Sequence, residues 1–119
     1  MTVVATVLVV VVALLHAYFA LLEMVLWTTP RGRAAFGLEE GFARESKTLA
    51  ANQGLYNLFL VAGLVWGLVA GDQRVAVLSF FLGCVVIAGI YGGATVSRRI
   101  LVVQAVPGLL ALAAVQLSR

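Results

Sequence analysis

MTVVATVLVVVVALLHAYFALL (residues 1–22) carries no charge, over a length that matches the roughly 20 residues a helix needs to cross a bilayer. The same pattern returns at 48–71, 75–97 and 100–118. Each uncharged run is about 19 to 24 residues, so each is long enough to span hydrocarbon as a helix. Backbone groups in lipid must be satisfied within the segment that carries them, which leaves helices as the reading. The sequence predicts an all-α, four-helix transmembrane bundle with antiparallel, up-down-up-down threading.

Composition agrees. The chain is 63% hydrophobic and 11% charged, with mean hydropathy +1.10, too few polar residues to coat a soluble core. Four spans account for almost all of 1–119, so a single four-span membrane domain is expected. The first run is too long for a signal peptide and lacks a basic leader, so it is expected to remain as a helix. Cys84 is the one cysteine, which excludes an intrachain disulfide and a cysteine-based metal site.

The net charge of +3 does not point to nucleic acid, because the basic residues stand at span ends rather than in a run. Arg31, Arg33, Arg44, Lys47, Arg98 and Arg99 lie in the first and third connections; only Arg74 and Arg119 lie on the other side. The positive-inside rule then places connections one and three in the cytoplasm and both termini outside, in a multi-pass cell-membrane protein.

The helix boundaries follow from breakers. The first helix is expected over Thr2 to Trp27, with Trp27 at interfacial depth and Pro30 and Gly32 ending the helical pattern. In residues 31–47, Phe36, Leu38 and Phe42 alternate with charges, as in a segment lying on the membrane surface or an ordinary solvated loop. The second helix is expected from Ser46–Thr48 to near Gly71, and Gly71-Asp72-Gln73-Arg74 makes a tight turn to an antiparallel third helix. Gly63, Gly67, Gly89 and Gly93 should meet neighbouring helices closely. Pro107-Gly108 should kink the fourth span.

Antiparallel threading also brings polar residues of all four spans to one depth, between the bilayer centre and the cytoplasmic face. They are His16, Glu23, Asn52, Gln53, Asn57, Tyr91, Thr95 and Gln104. A polar group in hydrocarbon is costly unless paired or used, so their convergence predicts a polar intramembrane pocket. His16 and Glu23 share a face of the first helix, about 10 Å apart along its axis. They are candidates for acid–base chemistry, Glu23 as acid, base or cation partner and His16 as proton carrier. Asn52, Gln53, Tyr56, Asn57, Tyr91, Thr95 and Gln104 are the candidate ligand-binding residues. The structural alternatives are a neutral His16 bonded across helices, Glu23 paired with Arg98 or Arg99, and amides that serve only as interhelical glue.

One histidine and one intramembrane carboxylate fall short of a zinc or di-iron set, and no phosphate loop or dinucleotide fingerprint is present. No metal or cofactor is therefore expected. The expected partners are the lipid bilayer, a small lipophilic ligand and further copies of the chain, with no nucleic acid.

His16, Phe19, Glu23, Met24 and Trp27, with the block Asn52-Gln53-Gly54-Leu55-Tyr56-Asn57, resemble the small membrane family catalogued as domain of unknown function 1304. Ala88-Gly89-Ile90-Tyr91-Gly92, Ala94-Thr95, Gln104 and Pro107 carry the likeness through the rest of the chain. The resemblance implies four spans and brings no established reaction. Three functions fit the residues: a pocket that binds a small lipophilic molecule or acts on it, a proton-coupled small-molecule exporter, and a non-enzymatic membrane subunit. Enzymatic activity is left undecided among them.

Overall fold

The computed structural model describes residues Met1–Arg119. It is helical throughout, with no strand: α1 (Val3–Met24), α2 (Pro30–Phe36), α3 (Glu40–Leu68), α4 (Arg74–Thr95), the single turn α5 (Arg98–Ile100) and α6 (Val106–Leu117). A 3-10 turn at Gly71–Gln73 precedes α4, and a widened π turn at Leu101–Ala105 joins α5 to α6. Four helical stretches are long and apolar enough to cross a membrane: Val3–Met24, Glu40–Leu68, Gly71–Thr95 and Arg98–Leu117. Only 22–33% of each apolar window is buried, so most of each window is left uncovered by the rest of the chain. Packing divides the chain into two compact units: Leu15–Val61, and Ala62–Arg119 together with Met1–Leu14.

In the unit Leu15–Val61, the second half of α1 packs on the first half of α3. Gly54 makes the close approach possible, because any Cβ there would run into the Met24 side chain and crowd the Ala20 carbonyl. α1 ends at Met24, short of the expected Trp27. The segment beyond is not the structureless break that Pro30 and Gly32 suggested. Thr29 caps α2, its Oγ1 accepting from the Gly32 amide at 3.3 Å, and Pro30 sits in the first turn, where its missing N–H costs nothing. Gly37, at φ +65, closes α2 in the left-handed conformation that glycine adopts without strain. Gly32 is buried for a different reason: a Cβ there would strike the Leu26 backbone carbonyl.

α3 starts at Glu40, about two turns earlier than its apolar run. Its charged start is exposed and helix-favouring, with Glu40 in the first turn and an Arg44–Glu40 pair at 3.0 Å spaced i, i+4. The loss of charge after Lys47 marks where hydrocarbon can begin, not where the helix begins.

In the other unit, α4 packs against the π turn and α6. All four glycines expected at close contacts have them. Gly63 faces the Phe81 ring, Gly67 faces Leu78, Gly89 faces the backbone of Ala105 and Gly93 faces Leu101. Pro107 explains the π turn. It donates no hydrogen bond and its ring crowds the preceding turn, and the chain widens so that the Val106 amide bonds Leu101, five residues back. Pro107 then lies in the first turn of α6. Ser79 and Gln116 are joined by a 2.5 Å bond from Gln116 Nε2 to Ser79 Oγ, which ties α4 to α6.

Candidate functional site

The unit Leu15–Val61 holds the buried polar groups of α1 and α3. His16 is 1% exposed, Glu23 9% and Asn57 5%. Asn57 Nδ2 donates to Glu23 Oε1 at 2.5 Å, a bond between residues 34 apart in sequence that ties α3 to α1. The contact follows from register. Gly54 and Asn57 are three residues apart on α3, so they share the face on which Gly54 meets Ala20 and Met24 of α1. Close approach at Gly54 brings the short asparagine side chain within reach of Glu23. The amide reaches one carboxyl oxygen and leaves Oε2 for a second partner.

His16 lies two turns up α1 from Glu23 and meets the Phe19 ring edge-on, with centroids 5.3 Å apart. At about 10 Å along the axis it cannot bond Glu23 directly. Below Glu23, Trp27 donates from Nε1 to Ser46 Oγ at 3.0 Å and lies 5.0 Å from the Phe36 ring. That cluster pins α2 and the start of α3 beneath the end of α1.

The remaining candidates stand differently. Asn52, Gln53 and Tyr56 are exposed on α3, Tyr56 at 60%, with its ring edge-on to Phe59. In the other unit, Tyr91 is 71% exposed, Thr95 is exposed and Gln104 is half-buried on the π turn. Thr95 Oγ1 donates to the Tyr91 carbonyl at 2.7 Å, a local bond within α4. The depth expected from the sequence therefore does not predict burial. Of the eight polar residues read from the sequence at one depth, the structure buries His16, Glu23 and Asn57.

Ser46 carries little signal in the sequence, because it lies at the edge of the connection 31–47. Gln116 was missed because it stands alone near the chain end. A tryptophan at a span end asks for a polar partner, and that signal could have found Ser46. No group of three or more histidine, cysteine, aspartate or glutamate side chains is placed to hold a metal ion.

The chain is similar to an uncharacterized protein, YpaA, of Lactococcus lactis subsp. lactis (strain IL1403). The two are 27% identical over 114 residues, covering 94% of this chain and 96% of the relative. No solved structure matches. The family model described as "Protein of unknown function (DUF1304)" matches residues 10–116, a stretch that includes His16, Glu23, Asn57 and the glycines of α3 and α4. With that match running through all four apolar helices, this chain belongs to the DUF1304 family.

Proposed function

We propose that this small integral membrane protein binds a small lipophilic molecule at Glu23, or acts on it by acid–base chemistry, in the cytoplasmic half of the membrane. The observation that carries the reading is the buried Glu23 carboxyl, held by the Asn57 amide inside an apolar helix pair. Glue does not need a carboxyl there. A glutamine at position 23 would accept the same bond from Asn57 without bringing an ionisable group into hydrocarbon. An intramembrane carboxyl that no structural duty requires is by default a functional one. Asn57 would fix the orientation of Oε1 and so present Oε2 to a proton or to a cationic or hydroxyl group of the ligand. His16, buried on the same helix, would carry a proton towards the bilayer centre. Met24 follows Glu23 and is half-exposed beside Gly54, and its pliable thioether suits an apolar ligand body.

The test is to purify wild type and Glu23→Gln in lipid nanodiscs, extract each with solvent and compare the lipophilic species by mass spectrometry. Wild type should retain a species near one per chain that Glu23→Gln loses, with helicity unchanged. Identical extracts from two equally folded proteins would overturn the reading.

The cytoplasmic assignment rests on the six-to-two split of basic residues, with the termini outside and residues 28–47 inside. Glu40 has an exposed side chain and suits a topology probe. In a Cys84→Ser background, Glu40→Cys should resist a membrane-impermeant thiol reagent in intact cells and react once the membrane is permeabilised. Ready labelling of intact cells would move Glu23 to the outer half.

A further inference from the structure

Glu23 raises the question of what balances its charge. Asn57 is neutral and supplies one hydrogen bond, to Oε1. Oε2 takes none from the chain and is not sealed in, since the one side-chain nitrogen or oxygen buried without a partner is Arg74 Nε. Glu23 is in no ion pair. The basic residues of its own unit are engaged elsewhere or exposed. Arg44 pairs with Glu40, Arg33 Nε donates to the Leu38 carbonyl, and Arg31 and Lys47 are exposed. His16 lies about 10 Å up the axis, too far to pair. Residues advance about 100° per position around a helix, so Ala43, Ala50, Gly54 and Asn57 form the buried side of α3, and none of them is charged. A carboxylate buried against such a surface is stable only with a proton or a cation beside it.

We propose, resting on the reading of Glu23 as a ligand site, that the ligand is a lipophilic amine, bound as its ammonium ion with an N–H donating to Glu23 Oε2. An ammonium ion supplies both things the carboxylate lacks, a donor for the second oxygen and the opposite charge. A charge-assisted bond of this kind is roughly twice as strong as a neutral one. A hydroxyl supplies only the donor and leaves the charge buried. The surroundings suit the rest of such a molecule. Phe19 is half-buried one turn above Glu23 on the same face of α1, where an aromatic ring attracts a cation. Met24 is half-exposed and lies over Gly54 at the seam of the two helices, where its thioether and methylenes can follow an alkyl body. Asn57 holds Oε1, so the carboxyl is already oriented for its guest.

The experiment uses the full chain in phosphatidylcholine nanodiscs, whose lipid carries no net charge to concentrate a cation. The probe is tritiated dodecyldimethylamine, protonated at neutral pH, and empty nanodiscs give the lipid background. Wild type should bind it saturably, near one per chain. Glu23→Gln keeps an acceptor for Asn57 and should bind about tenfold more weakly, a difference of about 1.4 kcal/mol. Unlabelled dodecanol has the same chain and no charge, and it should leave the probe in place where unlabelled amine displaces it. Dodecanol that competes as well as the amine, or equal binding by wild type and Glu23→Gln, overturns the proposal. So does an amine that binds wild type no better than empty nanodiscs. In each of those cases Glu23 remains a ligand site if the solvent extracts of wild type and Glu23→Gln differ, and that reading falls as well if they are identical.

Discussion

Gly89→Leu should be the most damaging single substitution in α4. A Cβ on Gly89 would lie 2.5 Å from the amide nitrogen of Ala105 and 2.8 Å from its Cα and Cβ, all below a real van der Waals contact. The obstacle is the backbone of the π turn, which cannot step aside as a flexible side chain can. Gly93 is also tight, but against the end of the Leu101 side chain, which can rotate. Gly83, on the same helix, has nothing within 4 Å of the added carbon. Overpacking costs about 1–3 kcal/mol where the neighbour can give, and Gly89 should fall at or beyond the top of that range. Thermal or denaturant unfolding in detergent should rank Gly89→Leu well below Gly93→Leu, with Gly83→Leu near wild type. Equal stability of the Gly89 and Gly83 variants would show that α4 does not rest on the π turn through this face.

That contact also shows what could be read in advance. The four spans were legible because loss of charge over twenty residues is a one-dimensional property, and a bilayer imposes one dimension. The glycine contacts were legible because small residues repeated on a helix matter mainly where backbones meet. Helix ends were harder. α3 begins at Glu40 while its hydrophobic run begins after Lys47, since a helix does not stop at the water boundary. α2 was hidden because Pro30 and Gly32 both read as breakers. Pro30 is harmless in a first turn, and Gly32 is there to let α2 pass under the Leu26 carbonyl.

Sequence assigns the candidate residues an expected depth and says nothing of their rotation. In a soluble helix the polar face marks the outside, so a period of 3.6 residues reveals which side is buried. In a membrane helix both the core side and the lipid side are apolar, and that signal fades. Asn52 and Asn57 therefore looked alike in sequence. One is exposed and the other meets Glu23, because Gly54 decides which side of α3 lies against α1. The cost of a polar group in hydrocarbon predicts that all these residues turn inward, and the structure buries His16, Glu23 and Asn57 while Asn52, Gln53 and Tyr91 stay exposed.

Removing Asn57 should cost more than removing the whole pair. Asn57→Leu leaves Glu23 buried without its donor, and an unsatisfied buried acceptor costs about 1–3 kcal/mol, more if it is charged. Glu23→Gln keeps an acceptor for the Asn57 amide and should fold almost as well as wild type. The double variant Glu23→Leu, Asn57→Leu removes both polar groups together. An apolar replacement of a buried polar pair is often neutral or stabilising, so the double variant should recover most of the stability lost in Asn57→Leu. Unfolding of the four proteins in one detergent gives the coupling directly, expected at about 1–3 kcal/mol for groups in contact. Additive losses would mean that the two side chains do not sense each other in the folded membrane protein, and Glu23 would need another anchor. A coupled pair whose apolar replacement folds well would show that stability does not require a carboxyl at position 23, which leaves chemistry as the reason for placing one there.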